Sequence, residues 1–554
     1  MAGDPPTTPT PPSQFLSYLS NNRRTPTREL VQPYLSYETW LRRAFARGDA
    51  GIAGLAGLVP IYDGHQSKFR IRAIDRLTAN KEKYLMLLPD DKLEADRAPA
   101  IAASLEEYKK NFEAFTHGTL ACLDWSNIVV AGSSALLPLL SRREDVNIRE
   151  DPTVERPLET YFHEDAAITR ILELEAAVRR NQRLLPGAGL SLRSENAITF
   201  ISPKWPYRHV QIILRLYKSI SEILTGFDVD CACVAFDGTQ VYSNPRGITA
   251  IATRTNTIDL SRRSPSYENR LWKYRNQNFD VYWDCLDRTR IDEEYFRSFV
   301  EYYNDLSSLK GLARLIFSEV VLTRDYNHYW RKRYLKKFDD GGEPALAPES
   351  GYATHNIPYG ERFTADKVRK YVEKHSKGQQ HLFGTIQDVA VRGAKSGKKS
   401  KKKLVGKVTF LKDDPGRQMI GSFHPLSEDD WTEMAYAAGK GDNEEGSREV
   451  SEGNSEGNSE EDSEENSEED SEEDNLRQQV RAVPLRTAGS GFGDAVRHTL
   501  AERRTLLLFI AQLNLQPSLR CTDQAPWYND QKQQDKQGFA QQTPHVPLGG
   551  GASI

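Results

Sequence analysis

The spacing of hydrophobic positions changes along the chain and divides it into regions. Residues 1–27 are rich in Pro, Thr and Ser, show no apolar period, and are predicted to form a disordered tail. From residue 28 to residue 118 apolar side chains recur at spacings of three and four, in segments that end at Gly48 and Gly118. This spacing is typical of amphipathic helices, so residues 28–118 are predicted to be a helical region.

Residues 119–337 alternate between two periods. Ile128, Val129 and Val130 form a short β-like run before a turn of small residues, and "DAAITRILELEAAVRRNQ" has helical spacing. "NAITFISP" and "HVQIILRLY" are rich in β-branched residues, and "DVDCACVAFDGTQVYSNP" suggests a strand, an Asp-Gly turn and a second strand. After Pro245, "RGITAIATRTNTI" is predicted to be helical. Strands that alternate with helices predict a mixed α/β (α+β) central domain with a helical extension.

The last third of the chain has little apolar periodicity and is predicted to be largely disordered. We divide it into a loop and basic linker (338–403), a small β/helix segment (404–440), an acidic low-complexity tract (441–475) and an amphipathic helix with a polar tail (476–554).

Net charge hides a strong segregation. The stretch 442–474 has 17 acidic residues and one Arg, so a chain of net charge −4 consists of a tract of −16 and a remainder of +12. The first 22 residues have five Pro and no apolar core, which argues against a signal peptide. No apolar run is long enough for a membrane span, and five scattered Cys argue against a disulfide scaffold or a zinc ribbon. We therefore expect a protein of the nucleus or cytoplasm with no membrane partner.

The turn after Ile128–Val130 is the first candidate binding site. Gly132 permits close approach of the backbone and Ser133 can donate a hydrogen bond, at a position where helix N–H groups can hold a phosphate. The alternative is an ordinary tight turn between a strand and a helix.

Asp228 and Asp230 are the second candidate site. In a strand, residues two apart share a face, and two carboxylates on one face suit Mg²⁺. The alternative is that Asp228 caps the turn after Gly226 and that Asp230 pairs with a nearby Arg.

Together these features resemble the nucleotidyltransferase (polymerase-beta-like) fold. More closely, "VVAGSSALLPLL", "YRHVQIILRLYKSISEILTGFDVDCACVAFDG" and "FDVYWDCLDRTRID" resemble an uncharacterised, mainly fungal family, some of whose members carry ankyrin repeats. The resemblance implies that Gly132 and Ser133 hold a nucleotide triphosphate, and that Asp228 or Asp230 contributes a carboxylate to Mg²⁺.

One part of the family pattern is absent. Members carry an Asp-hydrophobic-Asp strand after the Gly-Ser turn, and we find no such strand between residues 141 and 175. Glu173 and Glu175 match formally, but in a helix they point about 200° apart and cannot share a metal. Either the domain is non-catalytic, or the stretch between Tyr161 and Ile168 has lost a segment.

Three further motifs are candidates for a functional or structural role. "CLDRTR" (residues 285–290) lacks the thiol spacing of a phosphatase loop and favours a helix start with Asp287 near its N-terminus.

The basic run, residues 392–403, is a candidate nuclear localisation signal or nucleic-acid contact, and its central lysines are Lys398, Lys399, Lys401, Lys402 and Lys403. Ser459, Ser467 and Ser471 each precede an Asp by three residues and are candidate phosphorylation sites.

A second basic stretch is a candidate nucleic-acid surface. Arg262, Arg263, Arg270, Lys273 and Arg275 lie among aromatic residues that could stack on bases, the alternative being a solvated helix face.

The sequence leaves two functions open. The first is a non-catalytic interaction protein, which the basic run predicts to be nuclear and whose acidic tract is expected to bind proteins with basic surfaces. The second is an Mg²⁺-dependent nucleotidyltransferase with a nucleotide or nucleic acid as ligand. No cofactor is expected in the first case, and Mg²⁺ in the second.

Overall fold

The computed structural model divides into two units, Met1–Asn443 and Glu444–Ile554. It describes residues 4–49, 51–140, 157–160, 164–184, 189–193, 197–202, 205–296, 309–323, 366–367, 370, 381–383, 418–421 and 426–437. All of these residues belong to the first unit. The predicted features between 438 and 554 lie outside the described residues.

The helices lie before, between and after the strands. Their bounds are α1 Phe15–Asn21, α2 Thr27–Arg47, α3 Ile74–Thr78, α4 Leu105–Thr116, α5 Ser133–Leu139, α6 Glu164–Asn181, α7 Ile220–Thr225, α8 Pro245–Thr253, α9 Tyr267–Arg275, α10 Gly311–Thr323 and α11 Glu428–Ala437.

The strands form two sheets. Their bounds are β1 Val59–Pro60, β2 Tyr84–Leu85, β3 Ile128–Ala131, β4 Pro157–Thr160, β5 Leu190–Arg193, β6 Ala197–Ile201, β7 Val210–Leu216, β8 Val234–Phe236, β9 Val241–Ser243, β10 Thr255–Thr257, β11 Asp280–Tyr282 and β12 His381–Phe383. The large sheet has the order β1-β9-β8-β3-β4-β7-β6-β5-β12, and the small sheet has the order β10-β11-β2. In the large sheet β4 and β7 are parallel, and every other neighbouring pair is antiparallel.

Both faces of the large sheet are covered by helices. Paired residues on neighbouring strands share a face, and Val130 pairs with Phe236 on the face that belongs to the main core, together with apolar residues of α6. Ala131 pairs with Ala235 on the opposite face, which packs against Ile223 of α7. This burial on both sides explains why β3 consists entirely of buried apolar residues.

The N-terminal residues are part of this core. The expected disordered tail of residues 1–27 is wrong for α1, because Phe15, Leu16 and Leu19 are buried in the main apolar cluster. The helical region of residues 28–118 is also less separate than expected, since its β1 pairs with β9. The prediction failed because only three apolar residues, at positions i, i+1 and i+4 of a Pro-rich stretch, mark this helix, which is too few to give a clear helical period.

Most central elements appear where the sequence predicts them. The predicted strand, small-residue turn and helix are β3, Gly132 and α5, and the amphipathic helix is α6. The Asp237-Gly238 turn connects β8 and β9, as predicted. The mixed helix-and-sheet class is therefore confirmed.

Two parts of the central prediction are wrong. Asp228 to Cys233 do not form a strand: Asp230–Ala232 is a turn of 3-10 helix, and the strand begins only at Val234. Residues after α8 form β10, where the sequence suggested helix. In both places a buried side chain bonds the backbone, because Asn256 accepts from the Cys231 N–H and Asp230 accepts from the Thr257 N–H. Tertiary contacts thus override local preference.

A late segment of the chain returns to the body. Ile420 packs against Leu41 and Phe45 of α2, and the Ile420 N–H donates to the Arg42 carbonyl at 3.2 Å. Farther along, Trp431 of α11 is buried against Trp283, with ring centroids 4.8 Å apart. Gly311 has φ +56 and lies so close to the Trp431 carbonyl that no side chain would fit there.

Among the described helices, none combines the length and apolar character that crossing a membrane requires.

Candidate functional site

Gly132 shapes the junction between β3 and α5. Its φ of 72° and ψ of −142° lie in a region that glycine adopts readily. Its N–H donates to the Val234 carbonyl at 3.0 Å, and its carbonyl accepts from the Leu136 N–H at 2.9 Å. The backbone of Gly132 therefore ties α5 to β8 as well as to β3.

Ser133 lies inside the protein. Its side chain is buried, and its Oγ lies 3.0 Å from the Tyr274 hydroxyl of α9. Burial raises the pKa of Tyr274, so this phenol stays neutral. The Ser133 hydroxyl is thus engaged in a buried contact between two helices, which corresponds to the tight-turn alternative. The predicted nucleotide-binding role remains a prediction.

Asp228 has two side-chain donors. The Ser264 hydroxyl donates to Oδ2 at 2.5 Å, and Arg270 Nη1 donates to Oδ1 at 2.8 Å. The carboxylate is buried, whereas the Arg270 side chain is 50% exposed. Arg270 therefore neutralises Asp228 from the solvent side.

Asp230 is paired with a different arginine. Arg246 Nη1 donates to Oδ1 at 2.8 Å, and the Thr257 N–H donates to Oδ2 at 2.8 Å. Burial raises the pKa of Asp230, while the Arg246 guanidinium opposes that rise. The alternative in which Asp230 pairs with a nearby arginine is the arrangement observed.

Arg246 also binds a carboxylate from the N-terminal region. Its Nε lies 3.2 Å from both oxygens of Glu38 in α2, and Arg262 Nη1 lies 3.3 Å from Glu38 Oε1. Asn244, which caps α8, donates its Nδ2 to the same oxygen at 3.2 Å. Glu38 is thus held by three buried donor side chains.

Two more charges surround this group. Asp259 pairs with Arg262 at 3.0 Å, and Arg42 of α2 donates to the Ser261 carbonyl at 3.2 Å. Burial, together with the Arg262 charge, lowers the pKa of Arg42 to about 9. We call these six residues the central charge cluster; its members are Glu38, Arg42, Asp230, Arg246, Asp259 and Arg262. Three negative and three positive groups balance formally, and all of them except Asp259 are buried.

Sequence reasoning did not find Glu38, which lies 208 residues from Arg246. The signal that could have found it is a lone acid on the apolar face of α2, next to Tyr34 and Leu41. A buried carboxylate needs a cation, and the basic residues after β9 could provide it.

The central carboxylates do not form a metal centre of the usual type. Within the described residues, no group of three or more His, Cys, Asp or Glu side chains is placed to hold a metal ion. Asp228 and Asp230 no longer share the face of a strand, and each already has an arginine. The two neighbouring thiols are not activated nucleophiles, because burial raises the pKa of Cys231 and raises that of Cys233 to about 12.

The interval after α5 does contain a strand. This strand, β4, pairs with β3 and places Glu159 opposite Val129, and it is not the Asp-hydrophobic-Asp strand of the family pattern. The residues around β4 are mostly polar and charged, so their pattern does not predict a strand. β4 has one carboxylate where the family pattern has two, and its only apolar residue is Leu158.

The Glu173 and Glu175 prediction is confirmed. The Glu173 side chain is 56% exposed and pairs with Arg170 at 2.8 Å, whereas Glu175 is 1% exposed. Glu175 accepts from the Ser191 hydroxyl at 2.8 Å and lies beside Arg179. The two carboxylates point to different environments, as helix geometry requires.

"CLDRTR" begins a helical turn. The Asp287 carboxylate accepts from the Thr289 N–H at 3.1 Å and caps the 3-10 turn Arg288–Arg290. The hydroxyl and N–H of Thr289 lower the pKa of Asp287. The cap prediction is confirmed, in a 3-10 rather than an α-helix.

The basic and aromatic stretch around α9 is largely interior. Arg262, Arg263 and Arg275 are buried, as are Tyr267 and Tyr274. A continuous nucleic-acid surface along this stretch is therefore wrong, and so is a fully solvated helix face. The sequence showed cations and rings but not the acids that neutralise them, such as Glu268, which pairs with Arg263 at 2.8 Å.

The remaining candidate sites lie outside the described residues. They are the lysines of the basic run (Lys398, Lys399, Lys401, Lys402, Lys403) and the candidate phosphorylation sites (Ser459, Ser467, Ser471). Their roles stay predictions.

Two known protein groups are similar to parts of the chain. A family model described as "Gabija anti-defense 2 family protein" matches residues 106–254. An uncharacterised protein of Acanthamoeba polyphaga mimivirus is 30% identical over 190 residues, which is 33% of this chain and 40% of that protein. The chain thus spans about 40% of the length of this curated relative. No solved structure matches the chain.

These matches do not mention several features of the family that the sequence motifs resemble. Neither description mentions a fungal source, ankyrin repeats or nucleotidyltransferase activity. The segment matched by the family model begins within α4 and ends at Arg254, directly after α8. It contains Gly132, Asp228, Asp230 and Arg246, but not Glu38 or Arg270, which neutralise charges at the site.

Proposed function

We propose that the chain is a non-catalytic binding protein built on a nucleotidyltransferase-like domain, and that it acts by binding another protein. The observation that carries this proposal is the occupation of both central carboxylates by arginines. Asp228 and Asp230 each accept from a guanidinium at 2.8 Å. Each guanidinium already engages a carboxylate oxygen that Mg²⁺ would need as a ligand, and it supplies no Lewis acid for phosphoryl transfer.

The family description adds support of a different kind. The matched family is described by an anti-defense role, which names an effect on another system. Such an effect can be exerted by binding alone. For this chain we infer the same general role, with a protein of that system as the partner.

Calorimetry tests the non-catalytic part. Full-length protein is titrated with MgCl₂ and each nucleoside triphosphate, alone and together. We expect no saturable heat. Saturable, Mg²⁺-dependent binding that disappears in Asp228→Asn/Asp230→Asn would overturn the proposal.

A variant makes the same titration more informative. Arg270→Gln removes the exposed guanidinium from Asp228 and leaves the Arg246 pair intact. Mn²⁺, followed by electron paramagnetic resonance, is expected to bind Arg270→Gln more tightly than it binds wild type. The matched control is Arg170→Gln, which removes an arginine from the exposed carboxylates Asp124 and Glu173. Equal Mn²⁺ binding by wild type and Arg270→Gln would show that the guanidinium does not displace a cation.

A second function, Mg²⁺-dependent nucleotidyl transfer, is favoured by β4. This strand places Glu159 next to β3, which leads into the Gly132 turn. In this alternative Glu159, Asp228 and Asp230 would provide carboxylates and Gly132 and Ser133 would hold the triphosphate. Release of pyrophosphate from nucleoside triphosphates by wild type, and its loss in Glu159→Gln, would favour this function over the first.

Nuclear localisation is a separate proposal that rests on the basic run. The five central lysines are replaced by Ala in a fluorescent fusion of the full chain, namely Lys398, Lys399, Lys401, Lys402 and Lys403. We expect nuclear accumulation to be lost. Accumulation that persists unchanged, or that is absent from the start, contradicts the role of this run.

A further inference from the structure

A group of exposed cations lies on the N-terminal elements of the chain, and none of them belongs to the central charge cluster. Arg23 and Arg24 lie in the turn between α1 and α2, and Lys68 and Arg70 lie in the segment that precedes α3. All four side chains belong to exposed residues. We call these four residues the basic patch.

Short contacts place the two halves of the patch side by side. Lys68 Nζ donates to the Ser17 hydroxyl at 3.0 Å, and Arg23 Nε donates to the Ser20 carbonyl at 3.1 Å. Ser17 and Ser20 are three residues apart in α1, so they lie on one side of that helix. Lys68 and Arg23 are therefore neighbours, although 45 positions separate them in the sequence.

A half-buried arginine, Arg72, fixes this arrangement. Arg72 donates to the carbonyls of Leu19, Asn22 and Thr25 at 2.8–3.1 Å, and to the Thr27 hydroxyl at 2.8 Å. It thus binds the turn that carries Arg23 and Arg24 to the segment that carries Lys68 and Arg70. The patch is held together by the fold rather than by a ligand.

Two of the guanidinium groups are oriented in advance. Arg23 and Arg70 each donate Nε to the carbonyl three residues before them, Ser20 and Ser67, at 3.1 and 2.8 Å. Within the described part of the chain, their Nη groups have no hydrogen-bond partner, and none of the four cations has a carboxylate within ion-pair distance. The nearby Asp96 is paired with Arg97 at 3.6 Å. Oriented guanidinium groups with free Nη atoms lose little freedom when they bind an oxyanion.

The composition of the patch indicates the kind of partner. Protein-binding surfaces have an apolar centre, and the exposed large apolar residues of the described chain, among them Leu55 and Leu77, are not part of the patch. Adjacent cations without an apolar centre suit a row of phosphates. We propose that the basic patch binds the phosphodiester backbone of a nucleic acid without reading its sequence. This inference does not depend on the proposed function of the central domain.

The test compares charge removal at two places in the full chain. The background carries Ala at the five central lysines of the basic run, so that the run does not contribute. The patch variant adds Arg23→Gln, Arg24→Gln, Lys68→Gln and Arg70→Gln. The control variant instead adds Arg43→Gln, Lys81→Gln, Lys109→Gln and Lys110→Gln, four exposed cations that give the same change in net charge.

Binding of a short fluorescein-labelled DNA duplex is measured by anisotropy between about 50 and 200 mM salt. We expect the patch variant to lose at least about tenfold in affinity, and its log–log salt slope to flatten by about 3–4, since each phosphate contact contributes about 0.9. The control variant should match the background. A charge-conserving variant, Arg23→Lys/Arg24→Lys/Arg70→Lys, should retain most of the binding and the slope, and circular dichroism checks that each variant is folded.

Three outcomes would overturn the inference. The first is a background protein that does not bind the duplex. The second is equal loss in the patch and control variants, or an unchanged salt slope in the patch variant. The third is patch-dependent binding of a labelled poly-glutamate peptide with no binding of DNA, which would assign the surface to an acidic protein.

Discussion

Two pairs of carboxylates in this protein have the same spacing and opposite environments. Glu173 and Glu175 are separated by one helical residue, and only Glu175 is buried. Asp228 and Asp230 are also separated by one residue, yet both are buried and each has its own arginine. Spacing therefore says little about shared chemistry until the backbone conformation is known. In all three buried cases the carboxylate lies close to an arginine.

The arginine partners should contribute unequally to stability, and replacement of Arg246 should have the largest effect. Arg246→Ala leaves Glu38 and Asp230 buried without their main cation, and we expect the free energy of unfolding to fall by about 3–5 kcal/mol. Urea denaturation of the full chain, followed by tryptophan fluorescence, measures this change. Adding Glu38→Gln and Asp230→Asn should recover part of the loss. A loss below about 1 kcal/mol would contradict the role of Arg246 as the cation of the cluster.

A fourth buried carboxylate extends the comparison to pH. Asp280 accepts from Arg76 at 2.5 Å and from the Leu88 N–H at 2.6 Å, yet burial outweighs these partners and raises its pKa to about 6. Between pH 4 and pH 6 the folded state then binds more protons than the unfolded state, so this group makes stability fall as pH rises through that window. The shift of about two units corresponds to about 3 kcal/mol.

The pH effect is isolated by difference. The free energy of unfolding of wild type minus that of Asp280→Asn is measured from pH 4 to pH 7. The difference should fall by up to about 3 kcal/mol as pH rises and then level off. A difference that stays constant or rises with pH would show that the Asp280 carboxyl is not destabilised by burial.

The two glutamates of α6 offer a smaller and fully matched test. Glu175→Ala removes the acceptor of the buried Ser191 hydroxyl and the neighbour of Arg179, and we expect a loss of about 2–3 kcal/mol. Glu173→Ala removes an exposed carboxylate from Arg170, which keeps Asp124 as a partner, and should change stability by less than about 0.5 kcal/mol. Both values come from the same urea titrations. Equal effects of the two substitutions would mean that burial does not separate these carboxylates.

Of the two arginines that pair with the central aspartates, Arg270 is expected to have the smaller effect. Its side chain is 50% exposed, and Asp228 keeps the Ser264 hydroxyl when Arg270 is replaced. We expect Arg270→Ala to lower the free energy of unfolding by about 1 kcal/mol, because water can replace an exposed guanidinium in part. A loss as large as that of Arg246→Ala would show that Asp228 depends on its arginine as strongly as Asp230 does.

Much of the central architecture is readable from the sequence because its elements are governed by local patterns. Val129 and Ile128 before a glycine predict β3 and its turn, and the apolar spacing of α6 is long enough to be unambiguous. α1 and β4 were missed because each is short. The 3-10 turn at Asp230 was missed because its conformation depends on Asn256 and Thr257, far along the chain.

The candidate site was predictable only in part. The sequence identified Gly132, Ser133, Asp228 and Asp230, and it raised an arginine partner for Asp230 as an alternative. It could not identify Glu38 as a partner of Arg246, or Tyr274 as a partner of Ser133. No local sequence pattern connects α2 with Arg246 or α9 with Ser133. Charge neutralisation in a core is a long-range property, set when distant helices pack together.

The late segment with Ile420 and Trp431 implies an order of events during synthesis. Ile420 reaches α2 across 378 positions, and Trp431 donates its indole N–H to Glu268 across 163. At about 5–20 residues per second, a ribosome needs roughly 20–75 s to make the stretch between α2 and Ile420. Throughout that interval Leu41 and Phe45 lack Ile420, one of their apolar neighbours. Trp283 in turn lacks its neighbour Trp431 until that residue has been made. The nascent chain therefore exposes apolar surface for a long period, and chaperones that bind such surface are expected to act during that period.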